Sequence, residues 1–278
     1  MTMNIDLHTH SKCSDGLLSP AELVERAVAN GTGMLALTDH DMVKGVAPAR
    51  TACESAGIRF VPGVEISITW GGRSIHIVGL QVDESNAAFV KTLDDNRAGR
   101  VERAKEISRR LALQGIDGAY EYISERVFDP IIISRKHFSR FLVEKEICPD
   151  TTEAFDRFLK RGRPAYVFHK WMTLEESIHC IREAGGISVV AHPGRYDISE
   201  TALFALFDEF KALGGVGIEV VTGSHSPDKY AYFARLARRY GFLASAGSDF
   251  HAPYEGYIDV GRLPPLPQNL TPIWHDWF

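Results

Sequence analysis

The stretch Ile5-Asp-Leu-His-Thr-His-Ser-Lys-Cys-Ser-Asp-Gly16 is a short apolar run that ends in His8 and His10, with Asp15 after a brief polar loop. In an extended strand, residues i and i+2 point to the same side. His8 and His10 therefore project together and form half of a metal site, although H-x-H alone also describes two half-exposed histidines on an edge strand. The same design recurs along the chain. MLALTDHD (34–41) runs into Asp39, His40 and Asp41, ISVVAHPG (187–194) into His192, and FLASAGSDFHAP (242–253) into Asp249 and His251. Glu65 lies in RFVPGVEIS, His76 in RSIHIVGLQV, and Glu219 in VGIEVVTG.

Between these runs lie amphipathic helix patterns. Ser19-Pro20-Ala21-Glu22 and Thr173-Leu174-Glu175-Glu176 are capping boxes. Gly31, Gly57 and Gly185 stand where helices should stop. Roughly seven short strands, most of them apolar on both faces and linked by helices, predict a parallel sheet with helical crossovers. Polar residues cluster after almost every strand, as on the C-terminal rim of a barrel. The fold class read from this is α/β, a distorted seven-stranded barrel with a helical insertion. No G-x-G-x-x-G or phosphate-cradling loop supports an open nucleotide-binding sheet.

Residues 83–172 break the rhythm and predict helices: a long one through KTLDDNRAGRVERAKEISRRLALQG, then SRKHFSRFLVEKE and TTEAFDRFLKRG. The expected organisation is a barrel of residues 1–82 and 173–278 interrupted by a helical substrate-binding cap of residues 83–172. The proline-rich tail is expected to wrap over the barrel, anchored by Trp274 and Trp277.

The 278 residues are 45% hydrophobic and 24% charged, ordinary globular values, with 11 histidines. A net charge of -5 argues against long duplex DNA as a partner. The four cysteines form no CxxC pair, which leaves no disulfide framework or thiolate zinc site to expect. The N-terminus has no secretory pattern and no apolar run approaches a membrane span, so a cytoplasmic protein that does not engage membranes is expected.

The segments DLHTHSKCSDG, LTDHD, PGVEIS, IHIVG, AHPGR and GSDFH resemble, in order, the motifs of the PHP (polymerase and histidinol phosphatase) superfamily. The resemblance implies a distorted seven-stranded (β/α) barrel and three divalent metal ions, with roles carried over motif by motif. His8, His10, Glu65 and Asp249 would hold the first ion, Glu65, His76 and His192 the second, and Asp15, His40 and His251 the third. Many relatives have His where this chain has Asp15. A mixture of imidazole and carboxylate without thiolate suits Mn²⁺, Fe²⁺ or Zn²⁺. Clustered ions clamp a phosphate and generate a bridging hydroxide that attacks phosphorus, so no protein nucleophile is required. Asp6 and Asp39 are read either as groups orienting the ligating histidines or as loop caps.

For the substrate, Ser134, Arg135, Lys136 and His137 open a predicted helix whose N-terminus attracts anions. Lys170, Arg195 and His225 are expected on the barrel rim, with His225 the candidate for protonating the leaving oxygen. Arg97, Arg100, Arg103, Lys105, Arg109 and Arg110 read as the solvated face of the long helix, with a place near the barrel mouth as the alternative for Arg97 or Arg100. The segments AYVFHKW and GSHSPDKY resemble the stand-alone, nucleotide-directed members of the superfamily, phosphatases of 3′,5′-nucleoside bisphosphates and 5′→3′ exoribonucleases on short RNA. The expected reaction is removal of the 3′-phosphate from a bisphosphate. Exonuclease action on short oligonucleotides, histidinol phosphatase activity and a non-catalytic scaffold are the alternatives. Oligomeric state is not legible.

Overall fold

The computed structural model describes residues 3–256 and 258–277. Seven strands form one sheet in sequence order: β1 (Ile5–Asp6), β2 (Met34–Leu37), β3 (Arg59–Trp70), β4 (Arg73–Leu80), β5 (Ile187–Val190), β6 (Gly217–Thr222) and β7 (Leu243–Gly247). The ends of the sheet meet. Leu7 N–H donates to Ala246 O at 2.9 Å, and Asp249 N–H donates to His8 O at 2.9 Å. That closure makes the sheet a barrel and brings the first and last ligand-bearing loops together.

The pairing is parallel except around β4, which runs antiparallel to both β3 and β5. The expected all-parallel order is corrected here. Trp70 pairs with Arg73, leaving a two-residue turn of Gly71 and Gly72 with φ of 54° and 69°. So short a link cannot make a crossover, and left-handed φ at both positions is the requirement of a tight hairpin turn.

The helices packed on the barrel follow the signals in the sequence. α1 (Pro20–Ala29) carries the Ser19/Glu22 capping box and buries Leu23, Val24 and Ala27. α2 (Val46–Ala56) stops at Gly57, whose φ is 70°. The next helix in the chain, α3 (Ala87–Arg97), follows β4. The long helix expected across residues 91–115 is broken: after α3, Gly99 at φ 88° precedes α4 (Arg100–Ala112). Then come α5 (Ala119–Ser124), α6 (Arg135–Glu144) and α7 (Thr151–Ala154), the last continued by a wider turn over Phe155–Leu159. α8 (Leu174–Glu183), α9 (Glu200–Ala212) and α10 (Pro227–Tyr240) return to the barrel pattern.

The chain divides into two compact units, Arg97–Lys170 and the remainder. The barrel unit therefore extends past the expected border at residue 82, because Phe89 and Leu93 of α3 are buried in its core with Ile66, Ile77 and Ile181. Asn96 secures its edge, with Nδ2 donating to Asp41 Oδ1 and to Ser67 O while Oδ1 accepts from Met172 N–H. The helical unit has a separate core built from Ile107, Leu111, Phe138, Phe141, Leu142 and Leu159. A third apolar cluster fills the barrel interior with Leu7, Met34, Val78, Val189 and Ile273. In the tail, Ile273 is wholly buried and bonds back to Ala244 O, while Trp274 and Trp277 are only partly buried. No described helix is long and apolar enough to cross a membrane.

Candidate metal centre

All nine side chains expected as ligands converge at one end of the barrel. Among the described residues, three groups could each hold an ion, with ligand atoms in each group within 4.8 Å of one another: His8, His10, Glu65 and Asp249; His10, Asp15, His40 and His251; and His40, Glu65 and His76. His192 joins through Nε2, 2.9 Å from Glu65 Oε1, the oxygen that His76 Nδ1 approaches at 2.8 Å. Glu65 is the hub, for its other oxygen lies 3.4, 3.3 and 2.9 Å from nitrogens of His8, His10 and His40.

Several of these contacts need a proton or a metal ion between their two atoms. His8 Nδ1–H donates to Glu219 Oε1 at 2.7 Å. In the neutral ring Nε2 is then a bare lone pair, yet it faces Glu65 Oε2 at 3.4 Å, Asp249 Oδ1 at 3.6 Å and His10 Nε2 at 3.1 Å. Likewise His251 Nδ1–H donates to Asp249 O, so Nε2 turns a lone pair towards Asp15 Oδ1 at 3.3 Å. Acceptors that face acceptors need positive charge between them. Glu65 Oε2 and Asp249 Oδ1 are buried and make no geometrically sound hydrogen bond, and the same holds for His10 Nδ1, His40 Nδ1 and His192 Nδ1. Buried polar atoms are rarely left so. The donor set, imidazole and carboxylate without thiolate, fits hard or borderline divalent ions.

The electrostatics carry the same demand. Burial works against charge on Glu65, Asp15 and Asp249, but the surrounding histidines hold all three well below the usual carboxylate range. Burial also works against a charged His10, yet Asp249 and Glu65 outweigh it and raise its pKa to about 9. At His76 and His251 burial dominates and lowers the pKa to about 4.

The backbone aims these groups at a cost. Asp41, His192 and Asp249 hold left-handed φ of 52°, 28° and 56°. Such conformations cost roughly 1–3 kcal/mol each and persist only where the surroundings enforce them. Gly247 is obligatory beside them, because a Cβ there would come within 2.2 Å of His8 Cβ.

Asp6 and Asp39 prove to hold loops, not imidazoles. Asp39 accepts from Ser11 N–H, Ser11 Oγ and Ser14 Oγ, which shapes the turn carrying Asp15. Asp6 accepts from Ser248 N–H and Gly261 N–H. The orienting carboxylate is Glu219, which also accepts from His192 N–H at 2.6 Å. A bulge in β6, where Val220 is the extra residue between Glu219 and Val221, re-aims this strand. Sequence reading singles out Glu219 without giving it a role, and Tyr196 not at all. Its hydroxyl accepts from His76 N–H and donates to Ala191 O, and its ring packs edge-on to His192. The only sequence signals were a carboxylate late in a buried strand and a tyrosine two residues after AHPG.

The residues expected to bind substrate are dispersed. Ser134 and His137 cap α6 reciprocally: Ser134 Oγ accepts from Lys136 N–H, and His137 Nδ1 accepts from Ser134 N–H. Arg135 lies over the rings of Phe155 and Tyr166. Lys170 is exposed at the end of the helical unit. The reading of the arginine run as a uniformly solvated face is corrected, since Arg97 and Arg100 are buried while Arg109 and Arg110 pair with Glu106. Burial lowers the Arg103 pKa to about 9, and the neighbouring charges of Arg135 and Arg100 push the same way. Arg195 places NH1 3.0 Å from Asp249 Oδ2. His225 does not stand on the rim as a proton donor. It is buried, its Nε2 accepts from Gly194 N–H and its Nδ1 donates to Val220 O, so both nitrogens are occupied.

A closed α/β barrel with convergent imidazoles and carboxylates at one end is the arrangement of a metal-dependent hydrolase. The chain belongs to the PHP domain family, which its residues 6–177 match. It is 46% identical over 273 residues to a 3′,5′-nucleoside bisphosphate phosphatase of Chromobacterium violaceum, an alignment covering 98% of this chain and 96% of that protein. It is 39% identical over 274 residues to the 5′-3′ exoribonuclease Rnm of Escherichia coli, covering 98% of this chain and 93% of that one. A solved structure of an amidohydrolase from Chromobacterium violaceum, with bound sulfate and no metal, is 45% identical. It superposes with a TM-score of 0.95 and covers 98% of this chain and 95% of its own. The protein is thus an enzyme, a metal-dependent phosphoesterase, and the non-catalytic scaffold alternative falls away.

Proposed function

We propose that this enzyme removes the 3′-phosphate of nucleoside 3′,5′-bisphosphates, leaving the nucleoside 5′-monophosphate and inorganic phosphate. The observation that carries this reading is the 46% identity, over nearly the whole of both chains, to a protein named for that activity.

His8, His10, Glu65 and Asp249 would hold one divalent ion, Glu65, His76 and His192 a second, and Asp15, His40 and His251 a third. Mn²⁺ is the leading identity because three carboxylates stand among the donors, with Fe²⁺ and Zn²⁺ as alternatives. When bound, the ions supply Lewis-acid polarisation of the phosphoryl group and an activated water. The chain's own part is preorganisation. Glu219 and the Asp249 carbonyl fix the tautomers of His8 and His251, and Tyr196 ties together the backbone beside His76 and His192. The fixed ligand frame needs no rearrangement as charge develops on the transferring oxygens.

The grouped guanidiniums of Arg100, Arg103 and Arg135 in the helical unit are suited to a phosphate group, since arginine recognises phosphate oxygens in bidentate fashion. A cluster of cations of this kind favours a phosphate-rich substrate over histidinol phosphate, whose amine is cationic. The second reading, 5′→3′ exonuclease action on short RNA, is favoured by the 39% identity to the Escherichia coli exoribonuclease.

The deciding experiment supplies Mn²⁺ and compares adenosine 3′,5′-bisphosphate, AMP, histidinol phosphate and a 5′-phosphorylated RNA oligonucleotide, with products resolved. Rapid phosphate release from the bisphosphate, with AMP accumulating, is expected. Faster stepwise release of nucleotides from the RNA would make the exonuclease the principal activity.

A further inference from the structure

The turn that carries His192 is held in a conformation it would not keep alone. His192 has φ 28° and ψ 56°, and the residue after it is Pro193. A residue before proline is pushed towards extended backbone, and left-handed φ is unfavourable for any residue with a Cβ. Strain of this kind survives only where neighbours over-determine it.

The neighbours come from β6, α10 and the loop between them. His225 Nε2 accepts from Gly194 N–H at 2.9 Å, and its Nδ1–H donates at 3.2 Å to the carbonyl of Val220, the extra residue of the β6 bulge. Lys229 Nζ donates to Gly194 O. Both polar groups of the Gly194 backbone are thereby engaged. The ring of Phe233 stacks on His225 with centroids 4.7 Å apart. Gly194 is pressed so closely into this corner that a Cβ would lie 2.8 Å from His225 Nε2 and 2.8 Å from Phe233. One end of the clamped turn presents His192 Nε2 to Glu65, and the other presents Arg195 to Asp249.

We infer that His225 and Lys229 are positioning residues, which clamp the His192–Arg195 turn in its strained form and so keep His192 available to a divalent ion. The inference rests on the reading of His192 as a ligand. His225 contributes no proton to the reaction, because the Gly194 N–H requires a lone pair on Nε2 and the Val220 carbonyl occupies the N–H on Nδ1. Its effect is on metal affinity, exerted through the backbone of the turn that carries His192.

The test measures Mn²⁺ bound per chain and its dissociation constants by chelator competition, on the intact protein and on His192→Ala, His225→Leu, His225→Gln and Lys229→Gln. Supporting ligands of metal-bound histidines alter affinity by roughly 10–100-fold. His225→Leu should weaken the same class of site that His192→Ala loses, by that factor. Lys229→Gln should weaken it less, and His225→Gln should recover part of the loss because its amide oxygen can accept from Gly194 N–H. General destabilisation would lower the folded fraction without moving the metal midpoint or giving rescue by glutamine. If His192→Ala loses a site while Lys229→Gln and folded His225→Leu bind Mn²⁺ as tightly as the parent, the clamp is wrong and the ligand assignment stands. Should His225→Leu fail to fold, a parental midpoint in Lys229→Gln overturns the clamp by itself. If His192→Ala binds its full complement with parental affinity, the ligand assignment fails and the clamp with it.

Discussion

His8 Nδ1 lies 2.7 Å from Glu219 Oε1, and that hydrogen bond decides which nitrogen of His8 is left for an ion. The other oxygen of Glu219 receives the His192 N–H, so one carboxylate orients groups on two loops far apart in sequence. In Glu219→Gln the amide has one accepting atom for two donors. Metal affinity should fall roughly 10–100-fold with the fold intact, as measured by chelator competition. Unchanged affinity would show that the tautomer of His8 is fixed by something else.

Glu65 faces nitrogens of His8, His10, His40, His76 and His192. Glu65→Ala removes the charge that relates all the ligand groups, and Asp249→Ala removes the acidic partner of His8 and His10. Both should cut turnover by at least ~100-fold and lower the metal content found by elemental analysis. Parental turnover at parental metal content in either variant would falsify the ligand assignment.

His10 has its pKa raised to about 9, with burial opposing the proton and Asp249 and Glu65 prevailing. At neutral pH the metal-free site therefore holds a proton that an incoming ion must displace. Apparent metal affinity should rise with pH from neutrality towards about 9, with proton release detectable by calorimetry in buffers of different ionisation enthalpy. The same proton acts oppositely on the metal-free fold. Since the folded-state pKa is above the unfolded one, its stabilisation is complete below about pH 6.5 and is lost as pH rises through about 9. A metal affinity flat across neutral pH would contradict this.

Arg135 stands beside Arg103 in the helical unit, where like charges crowd a buried guanidinium. Arg135→Ala should raise KM for a nucleoside 3′,5′-bisphosphate much more than for a monophosphate ester, with kcat less affected. Equal effects on both substrates would remove the reading of this cluster as a phosphate-binding group.

Ile273 is fully buried among Leu7, Met34, Val78 and Val189 inside the barrel. Ile273→Ala should cost about 2–5 kcal/mol through lost transfer energy and the cavity left behind. Thermal unfolding should show a Tm lower by several degrees, with turnover per folded molecule unchanged. A matching loss of turnover would mean that the tail also shapes the metal centre.

Much of the molecule was legible before its coordinates. Capping boxes at Ser19 and Thr173 and the stop at Gly57 are local signals, satisfied by hydrogen bonds and φ values within one turn, and the helices begin and end there. The nine candidate ligands were legible from the resemblance, and they converge because a strand aims alternate side chains to one face and a barrel gathers strand ends at one rim. The long helix failed at Gly99, where a left-handed φ breaks what the periodicity of its neighbours would continue. The arginines after it read as solvated because helical periodicity does not say what covers a face, and Arg97 and Arg100 are buried. His225 was misplaced for a related reason: a histidine after a strand looks like a rim residue until a bulge carbonyl and Gly194 N–H are seen to claim both nitrogens.

The sequence by itself determined the order of strands and helices, the closed α/β class and the set of ligand-type side chains, since each follows from residue type, spacing and nearby caps. Only the tertiary structure decided that β4 runs antiparallel, that Glu65 is the hub, that Glu219 and Tyr196 orient the histidines, and that His225 holds a turn. The physical reason is distance along the chain. Glu219 meets His8 across 211 residues and His192 meets Glu65 across 127, and contacts of that span are made by closure of the barrel.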